Sequence, residues 1–557
     1  MTTDPTGTAG TGAGLLADTV QALSERAPAV VAAAADQLRG TRLGLHFHDG
    51  SRATVTVRRS RLLVEPDLVG EPEVEVVFDQ RAMNLVFDAQ RAPVEQVLAQ
   101  SLDVRGARER VLAVWRAFSL LSQRGAGLRF VQQLWRDYRE RVPRLWGDTS
   151  GPAADPVSPH GAGRTGWHAV DFLAARRPLQ VEPGPGAVVG GTATAPPRLL
   201  WDGRDGRGWW ETTPVGDADL VETMRSCRER TNREIDALLP DREPAAHLYD
   251  LMRSYPTRQG KGLRPTLVFA ACAAFGGRPE NAVRAAAALE LFHNGFLVHD
   301  DIADESTHRR GLRTLNAEYG DGLAVNVGDG LNLLAVDALL ANLETLGLAR
   351  TLGLIQEAMH MCRESIEGQA LELGWIHSNA VPPRDEDYFA MSTKKTGWYT
   401  CISPCRMGAV CAGVTDPAVL GRFDEAFRLI GIAFQIQDDI LNLVGDQALY
   451  GKEVLGDLLE GKRTVMLIHL LRSADARERK RFLRLLARRR SARTQQDAEV
   501  LLDAMRRHGS IEHATELADR LAAEGVERFE NDLAVIPENE GKAVLRQIAH
   551  YVTSRPL

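Results

Sequence analysis

Two acidic motifs in the second half of the chain have the composition of a divalent-metal site. The first, DDIAD, places Asp300, Asp301 and Asp304 at the end of the apolar run ALELFHNGFLVH. On an α-helix, Asp300 and Asp304 lie one turn apart on the same face. Carboxylates this close repel each other unless a cation lies among them, and Mg²⁺ prefers carboxylate and phosphate oxygens. The motif predicts a magnesium site, although a solvated helix end explains an isolated copy equally well.

The second motif, FQIQDDILN, makes coincidence a poor explanation for the first. It places Asp438 and Asp439 at the end of another apolar run, with Asn442 at the position one turn on. Two such helix ends facing each other would form a bowl for more than one Mg²⁺ with a bridging diphosphate. Asn442 departs from the expected carboxylate, so its role as a ligand is open, and Asp446 is an alternative one turn further on.

A pair of arginines, Arg309 and Arg310, follows the first motif closely. A guanidinium group donates two parallel hydrogen bonds to phosphate oxygens, which favours arginine wherever a phosphate must be oriented. The combination of carboxylates and guanidinium groups therefore favours a ligand that carries phosphate.

The composition excludes several classes of protein. The chain has 557 residues, of which 44% are hydrophobic and 25% charged, as in a soluble globular protein of two or three domains. A formal net charge of −7 gives no reason to expect nucleic acid as a partner. We expect no transmembrane segment, because no apolar run reaches membrane-spanning length, and no signal peptide in residues 1–14. The six cysteines lack zinc-type spacing, and the composition predicts a cytoplasmic protein.

The elements that precede these motifs predict a separate domain. Residues 1–14 are rich in Gly and Thr and are expected to be a disordered tail, followed by a small α+β domain at 15–146. Apolar and polar residues alternate around the hairpin signal Asp49-Gly50 and again at 74–78, which is typical of β-strands. Helical patterns flank the strands at 15–39, 93–101, 107–122 and 128–141.

This order of elements resembles a sterol-carrier-type lipid-binding domain over residues 15–125, through pattern and not through a diagnostic motif. Residues 147–216 are expected to be a Gly/Pro-rich linker whose tryptophans dock on a neighbouring domain in part. From 217 to 557 the periodicity is helical and strand signals are absent, so an all-α bundle is predicted.

The bundle region, from about 220 to 557, resembles the trans-isoprenyl diphosphate synthase (polyprenyl synthetase) family. The resemblance implies an all-α fold around a deep central cavity, usually homodimeric, that joins an allylic diphosphate to isopentenyl diphosphate with Mg²⁺. The similarity runs through an ordered set of motifs: GKGLRP at 260–265, His293, DDIAD with RRG, GDGL at 328–331, GQALEL at 368–373, KKTG at 394–397, FQIQDDILN and GKEVLGDLLEGKRT at 451–464.

The resemblance also implies roles for particular residues. The family positions its metals with carboxylates, which match Asp300, Asp301, Asp304, Asp438 and Asp439. Residues at the allylic diphosphate match Arg309, Lys395, Gln435 and Lys452, with Gln369 in the same wall, and Lys394 is an alternative to Lys395. The isopentenyl diphosphate carries no metal and takes protein cations, which match Lys261, Arg264, His293, Arg310 and Lys462.

Product length is expected to depend on the two residues that lie five and four positions before Asp300. In the family, bulk at these positions limits the growing chain. Here they are Gly295 and Phe296, which implies that the space is open at Gly295 and that the product is geranylgeranyl diphosphate or longer.

Two other functions fit parts of this pattern. A terpene cyclase on the same fold needs the metal motifs but no isopentenyl site, so the five cations argue for condensation. A lipid-binding or scaffold protein with an inactive synthase domain is disfavoured by the complete set of acids and cations. The N-terminal region is either a carrier that receives or delivers a prenyl chain or a docking module for a protein partner.

Overall fold

The computed structural model describes residues 11–78, 102–124, 129–141, 217–258, 260–444 and 455–553. The expected linker at 147–216 and the predicted helix at 93–101 lie outside these ranges, as do Lys452 and Asp446.

The N-terminal unit is a mixed five-stranded sheet packed against helices. Strand order is β3-β2-β1-β4-β5, in which β1 pairs parallel with β4 and all other neighbours are antiparallel. The parallel pair requires a crossover, which distinguishes this sheet from a simple meander. The elements are α1 (Gly12–Arg26), α2 (Pro28–Gln37), β1 (Leu43–His46), β2 (Arg52–Arg58), β3 (Arg61–Pro66), β4 (Val74–Phe78), β5 (Leu102–Gly106), α3 (Arg108–Arg124) and α4 (Arg129–Arg141).

Helix α1 begins inside the segment that was expected to be a disordered tail. The side chain of Thr11 accepts from the Gly14 amide, and Asp49 accepts from the Gly12 amide at 2.9 Å. The second bond joins residues 37 positions apart, so local sequence does not show it. Residues 12–14 therefore belong to the folded unit.

Aromatic side chains fill the described interior of this unit. The rings of Phe47 and Phe78 stack at 5.3 Å, and Phe78 contacts Phe118 at 6.3 Å. The resemblance of this unit to a sterol-carrier-type domain stays a prediction.

The N-terminal unit is fixed to the bundle. Leu348, Ala349 and Leu352, from a long bundle helix, pack against its hydrophobic core. Arg108 also pairs with Asp337 at 2.9 Å. A shared core couples the two parts more firmly than a tether would.

The C-terminal region is the predicted helical bundle. Its α-helices are α5 (Asp217–Leu238), α6 (Asp250–Thr257), α7 (Leu263–Ala274), α8 (Val283–Ala303), α9 (Leu315–Tyr319), α10 (Asp321–Leu340), α11 (Gly347–His377), α12 (Asp385–Ser392), α13 (Ser403–Ala412), α14 (Pro417–Leu420), α15 (Arg422–Val444), α16 (Gly456–Glu460), α17 (Val465–Ser473), α18 (Ala476–Leu486), α19 (Gln495–Arg507), α20 (Ser510–Asp532) and α21 (Glu540–Thr553). Short 3₁₀-helices cover Pro279–Ala282, Ala341–Leu343 and Arg490–Ala492, and π-helices cover Ala245–Tyr249 and Thr393–Ile402.

The bundle contains one hairpin that the sequence did not predict. Strands β6 (His308–Arg309) and β7 (Leu312–Arg313) pair across a turn in which Arg310 and Gly311 have φ angles of 53° and 76°. Two-residue strands carry too little periodicity to be recognised in a sequence. The hairpin reverses the chain after α8 and returns the arginines toward the aspartates.

One bundle helix corrects the expectation that no apolar run has membrane-spanning length. Residues 321–343 have the length and a mean hydropathy of 1.4 that such a span needs. However, 44% of the most apolar window is buried inside the bundle. A core helix of a helical protein meets the same criteria, so this finding is weak evidence for a membrane span.

Candidate active site

A polar cleft lies between the ends of α8 and α15 and the segment around α16. Its volume is about 440 Å³ when the open solvent at its mouth is included. We call it the acidic cleft. Its lining residues are Asp300, Asp304, Ser306, Thr307, His308, Arg309, Asn442, Gly456, Asp457, Glu460 and Lys462.

Asp300 lines the cleft and has two cationic partners, Lys395 and Arg309. It accepts from Lys395 at 3.2 Å and from Gln369 at 3.3 Å, and Arg309 lies 3.4 Å away. Burial by itself raises the pKa of Asp300, but Lys395, Lys462 and Arg309 outweigh it and hold the pKa well below its ordinary value. Asp300 is therefore ionised at neutral pH.

The second aspartate of each motif lies behind the cleft. Asp301 accepts from the phenol of Tyr255 at 2.6 Å and from Arg309 at 2.7 Å. Burial raises the pKa of Asp301. Two protein donors occupy this carboxylate, which orients Arg309, and its role as a metal ligand stays a prediction.

Asp439 repeats this arrangement on α15. It accepts from the phenol of Tyr388 at 2.7 Å and from Gln435 at 2.9 Å. Burial, followed by the nearby Asp457 carboxylate, raises the pKa of Asp439 to about 8. Gln435 was expected at the allylic diphosphate and instead holds Asp439, while Asp438 is half-buried at the preceding position.

The structure distinguishes between the two adjacent lysines. Lys394 pairs with Glu364 at 2.8 Å and Glu367 at 2.6 Å, outside the cleft. Lys395 pairs with Asp300 and with the buried carboxylate of Glu372. A wide π-helical turn at Thr393–Ile402 brings Lys395 inward, and such turns are frequent at functional sites.

Gly368 makes that approach possible. A Cβ atom at this position would lie 2.2 Å from the Lys395 amide nitrogen. Any larger side chain would therefore push the π-helix away from α11. The motif GQALEL thus supplies a close contact through Gly368 and a polar group through Gln369.

Lys462 lies in the acidic cleft and not with the cations expected to bind isopentenyl diphosphate. Its ammonium group is 3.1 Å from Asp304, 3.3 Å from Asp457 and 2.7 Å from Glu460. Burial lowers the pKa of Lys462, but these carboxylates outweigh burial and raise it well above the ordinary value. The sequence could not show this, because the turn at Gly461 decides on which side the lysine emerges.

Three more of the residues expected to bind isopentenyl diphosphate form a second site, which we call the cationic site and define by Arg264, His293, Arg310 and the partly buried Glu290. Arg264 donates to Thr400 at 2.9 Å and lies over the ring of Tyr399, on which His293 also stacks at 5.6 Å.

Electrostatics connect these four groups. Burial raises the pKa of Glu290, against the lowering effect of Arg264 and Arg310. Burial and the same two arginines hold the pKa of His293 well below its ordinary value, so the imidazole is neutral. The site therefore presents guanidinium charges beside a neutral ring.

Arg310 is held at this site by its side chain. The Arg310 guanidinium donates to the backbone carbonyl of Arg258 at 2.8 Å, which directs it away from the side of the hairpin that Arg309 occupies. Lys261 is exposed just before α7, at the edge of the same region. The structure thus separates the neighbouring arginines, as the resemblance implied.

Asn442 supports the cleft wall. Its side-chain oxygen accepts from the Asp457 amide at 3.1 Å, and its carbonyl accepts from the Leu455 amide at 3.1 Å. Asn442 therefore fixes the start of α16, which carries Asp457 into the cleft.

Gly295 faces a neighbouring helix. A Cβ atom there would lie 2.6 Å from the side-chain oxygen of Asn332 and 3.1 Å from the Gly328 carbonyl, both on α10. The expectation that Gly295 leaves a product tunnel open is therefore corrected: the glycine lets α8 and α10 cross closely. Phe296 instead contacts the rings of Phe292 at 6.4 Å and Tyr399 at 5.8 Å.

Five site residues were not predicted from the sequence: Tyr255, Tyr388, Glu290, Glu372 and Asp457. The two tyrosines bond Asp301 and Asp439 from distant positions in the chain, Glu372 pairs with Lys395, and Glu290 interacts electrostatically with Arg264 and Arg310. The signal for Asp457 was present in GKEVLGDLLEGKRT, and the tyrosines gave none.

The acidic cleft suits Mg²⁺ bound with a phosphate ligand. Among the described residues, no three carboxylate, imidazole or thiolate groups are arranged to hold a metal by themselves. Asp300 and Asp304 both line the cleft, and Lys395 and Lys462 now pair with them. Mg²⁺ characteristically takes one or two carboxylates and completes its shell with water and substrate phosphates, so the donor set fits.

Comparisons with known proteins agree with this site. A family model described as "Polyprenyl synthetase" matches residues 245–505. The short chain isoprenyl diphosphate synthase of Methanothermobacter thermautotrophicus is 31% identical over 60% of this chain and 99% of its own. The geranylgeranyl diphosphate synthase of Methanosarcina mazei is 30% identical over 60% and 98% of the respective chains. The crystal structure of geranylgeranyl pyrophosphate synthase from Corynebacterium glutamicum, complexed with isoprenyl diphosphate and magnesium, superposes with a TM-score of 0.54 at 28% identity, covering 60% of this chain and 99% of that one.

Proposed function

This chain belongs to the polyprenyl synthetase family and is an enzyme of the trans-prenyltransferase type, and we propose that it condenses isopentenyl diphosphate with an allylic diphosphate. One observation carries the proposal: Arg309 enters the acidic cleft while Arg310 enters the cationic site. Two separate phosphate sites at one helix end suit two diphosphate substrates.

The acidic cleft would bind the allylic diphosphate. Lys395 and Lys462 lie at its walls, and Arg309 is oriented by Asp301. When the allylic carbon–oxygen bond ionises, negative charge develops on the departing diphosphate, and cations fixed in place stabilise that charge without reorganising. Asp300, Asp304 and Asp438 would hold Mg²⁺, which supplies Lewis-acid stabilisation of the same charge.

The cationic site would bind isopentenyl diphosphate without a metal. Arg264 and Arg310 offer guanidinium donors, and the ring of Tyr399 holds Arg264 from one side. Glu290 attracts both arginines electrostatically. The second substrate would then lie beside Phe296, whose ring would exclude water from the carbocation that forms.

We propose that the product is geranylgeranyl diphosphate or a longer polyprenyl diphosphate. The names of the relatives support this range. Phe296 is the bulky group on the face of α8 that carries Asp300, so Phe296→Ala should lengthen the product. A product of unchanged length, in a variant with normal stability, would contradict the assignment to Phe296.

A single assay tests the reaction. Purified full-length protein would be incubated with isopentenyl diphosphate, Mg²⁺ and each allylic primer in turn, and the products identified by mass spectrometry. A lengthened diphosphate supports condensation. A hydrocarbon or alcohol from the allylic diphosphate alone would favour a terpene cyclase, and no turnover would favour a lipid-binding or scaffold protein. An Asp300→Asn variant controls for contaminating synthase.

We also propose a homodimer formed through α10 and α11. Leu333 is 68% exposed and Ile366 63% exposed, and Val325, Val336 and Met359 are exposed beside them. Apolar side chains at this spacing form a continuous stripe, and a self-complementary surface generates a two-fold dimer. The stripe also explains why α10 is apolar without spanning a membrane.

The N-terminal unit is proposed to act in assembly and not as a shuttling carrier. Its core includes residues of α11, which opposes independent movement. Deleting residues 1–215 should change the oligomeric state while product length stays the same. Altered product length with an intact dimer would favour the carrier.

The free cysteines of the described residues support a cytoplasmic location.

A further inference from the structure

Helix α18 carries a stripe of positive charge on its outer face. Its cations Arg477, Lys480, Arg481 and Arg484 follow the spacing i, i+3, i+4 and i+7, which places them on one face. All are exposed, whereas Phe482 and Leu486 on the opposite face are buried. We call these four residues the basic stripe.

The basic stripe makes no ion pairs with neighbouring acids within the described part of the chain. Arg477 does interact electrostatically with Asp475, at the start of α18. Glu478, the acidic residue of α18, pairs instead with Arg507 at 3.1 Å and His508 at 3.0 Å. Arg489 extends the positive surface beyond the helix, whereas Arg488 pairs with Asp497 at 2.7 Å. This surface is opposite in sign to the whole chain, whose formal net charge is −7. Solvated surfaces normally mix the two signs.

The helix is joined rigidly to the wall of the acidic cleft. Asn379 donates to the Leu483 carbonyl at 3.0 Å and accepts from the buried Arg463 at 2.8 Å. Arg493 donates to both the Leu486 and the Leu459 carbonyls. Leu459 precedes Glu460, which lines the cleft. The basic stripe is therefore held in a fixed relation to the proposed reaction site.

We propose that the basic stripe binds the surface of an anionic lipid bilayer. Four to eight Lys and Arg residues on an amphipathic helix are typical of surfaces that bind anionic lipid, and cations near such a membrane each contribute to binding. The choice of lipid rests on the proposed function, because a polyprenyl diphosphate is an amphiphile whose apolar chain partitions into a bilayer.

Two features favour a bilayer over nucleic acid. The four members of the stripe are cations only, without aromatic side chains on which bases could stack. A bilayer is also the medium into which the apolar chain of the proposed product partitions, which nucleic acid does not offer. A bilayer needs only a flat array of cations, which the outer face of α18 supplies.

Flotation of the full-length protein with vesicles tests the proposal. Vesicles of equal parts phosphatidylcholine and phosphatidylglycerol should bind it, vesicles of phosphatidylcholine alone should not, and raised salt should release it. The variant R477Q/K480Q/R481Q/R484Q should bind at least about tenfold more weakly, given the contribution expected per cation. No binding by the wild type, or equal binding by the variant, overturns the proposal.

A matched control tests whether binding depends on where the cations lie or only on the net charge of the protein. The variant R52Q/R58Q/R59Q/R61Q removes four exposed cations from β2, β3 and their turn and should bind vesicles as the wild type does. Equal weakening in both variants would mean that net charge alone acts, and displacement of vesicles by equimolar duplex DNA would favour nucleic acid; either result overturns the proposal. Activity on water-soluble primers should be unchanged in both variants. Lost activity with retained vesicle binding would count against the proposed function alone.

Discussion

The phenol of Tyr388 donates a hydrogen bond of 2.7 Å to Asp439, the second aspartate of its motif. Tyr255 makes the same bond to Asp301 at 2.6 Å, from an unrelated helix. Both acidic motifs therefore hold their second carboxylate through protein donors, and in the first motif Asp300 lines the cleft.

Removing either phenol should destabilise the bundle. Tyr388→Phe leaves a buried carboxylate with one donor fewer, which costs about 1–3 kcal/mol. Urea unfolding measures the loss, and Tyr255→Phe should lose a similar amount because its partner is equally buried. Stabilities equal to that of the wild type in both variants would show that these bonds contribute nothing net.

Lys462 should act on the allylic substrate. Lys462→Ala removes the cation shared by Asp304, Asp457 and Glu460, so kcat/KM for the allylic diphosphate should fall about 10- to 100-fold, as for a lost charged hydrogen bond. The KM for isopentenyl diphosphate should change little. Arg264→Gln is the matched comparison and should show the reverse pattern. A selective rise in the KM for isopentenyl diphosphate in the Lys462 variant would contradict its placement.

Gly295 should be needed for helix packing. Gly295→Ala forces a methyl group against Asn332 and the Gly328 carbonyl, and overpacking of this kind costs about 1–3 kcal/mol. Adding Asn332→Ala should restore part of the stability, because the side-chain oxygen is the nearest atom. Thermal or urea unfolding of both variants measures the coupling free energy between the two positions. A Gly295→Ala variant as stable as the wild type would mean that this position faces open space, as expected from the sequence.

His293 should make stability depend on pH. Its folded pKa lies well below the ordinary 6.5, so below pH 6.5 the unfolded chain binds a proton that the folded protein does not. Above pH 6.5 the contribution of His293 to the free energy of unfolding is complete. Below pH 6.5 this contribution falls with decreasing pH by up to about 1.4 kcal/mol per pH unit. The His293→Gln variant should lack this component when unfolding is compared above and below that pH. Identical slopes for both proteins would mean that the imidazole is protonated in the fold.

The exposed stripe of α10 and α11 should control assembly. Ile366→Glu puts a charge into a surface that is buried in the proposed dimer, and sedimentation should then show a monomer. Leu112→Glu, at another exposed apolar residue, is the control and should leave the dimer intact. A dimer that persists in the Ile366 variant would place the interface elsewhere.

The sequence by itself determined the helical bundle, the two acidic motifs and the family. Periodicity and motif spacing are properties of neighbouring residues, and they survive without knowledge of the fold. The same reasoning located Asp300, Lys395, Arg309 and Arg310 in the regions where the structure has them.

Only the tertiary structure decided which side chains meet. It moved Lys462 from the isopentenyl site to the acidic cleft, because a single turn at Gly461 sets the direction of that lysine. It turned Gly295 toward Asn332, which lies on another helix. It also supplied Tyr255 and Tyr388 as partners of buried aspartates. Contacts between residues far apart in the chain depend on how helices cross, and no local pattern records that geometry.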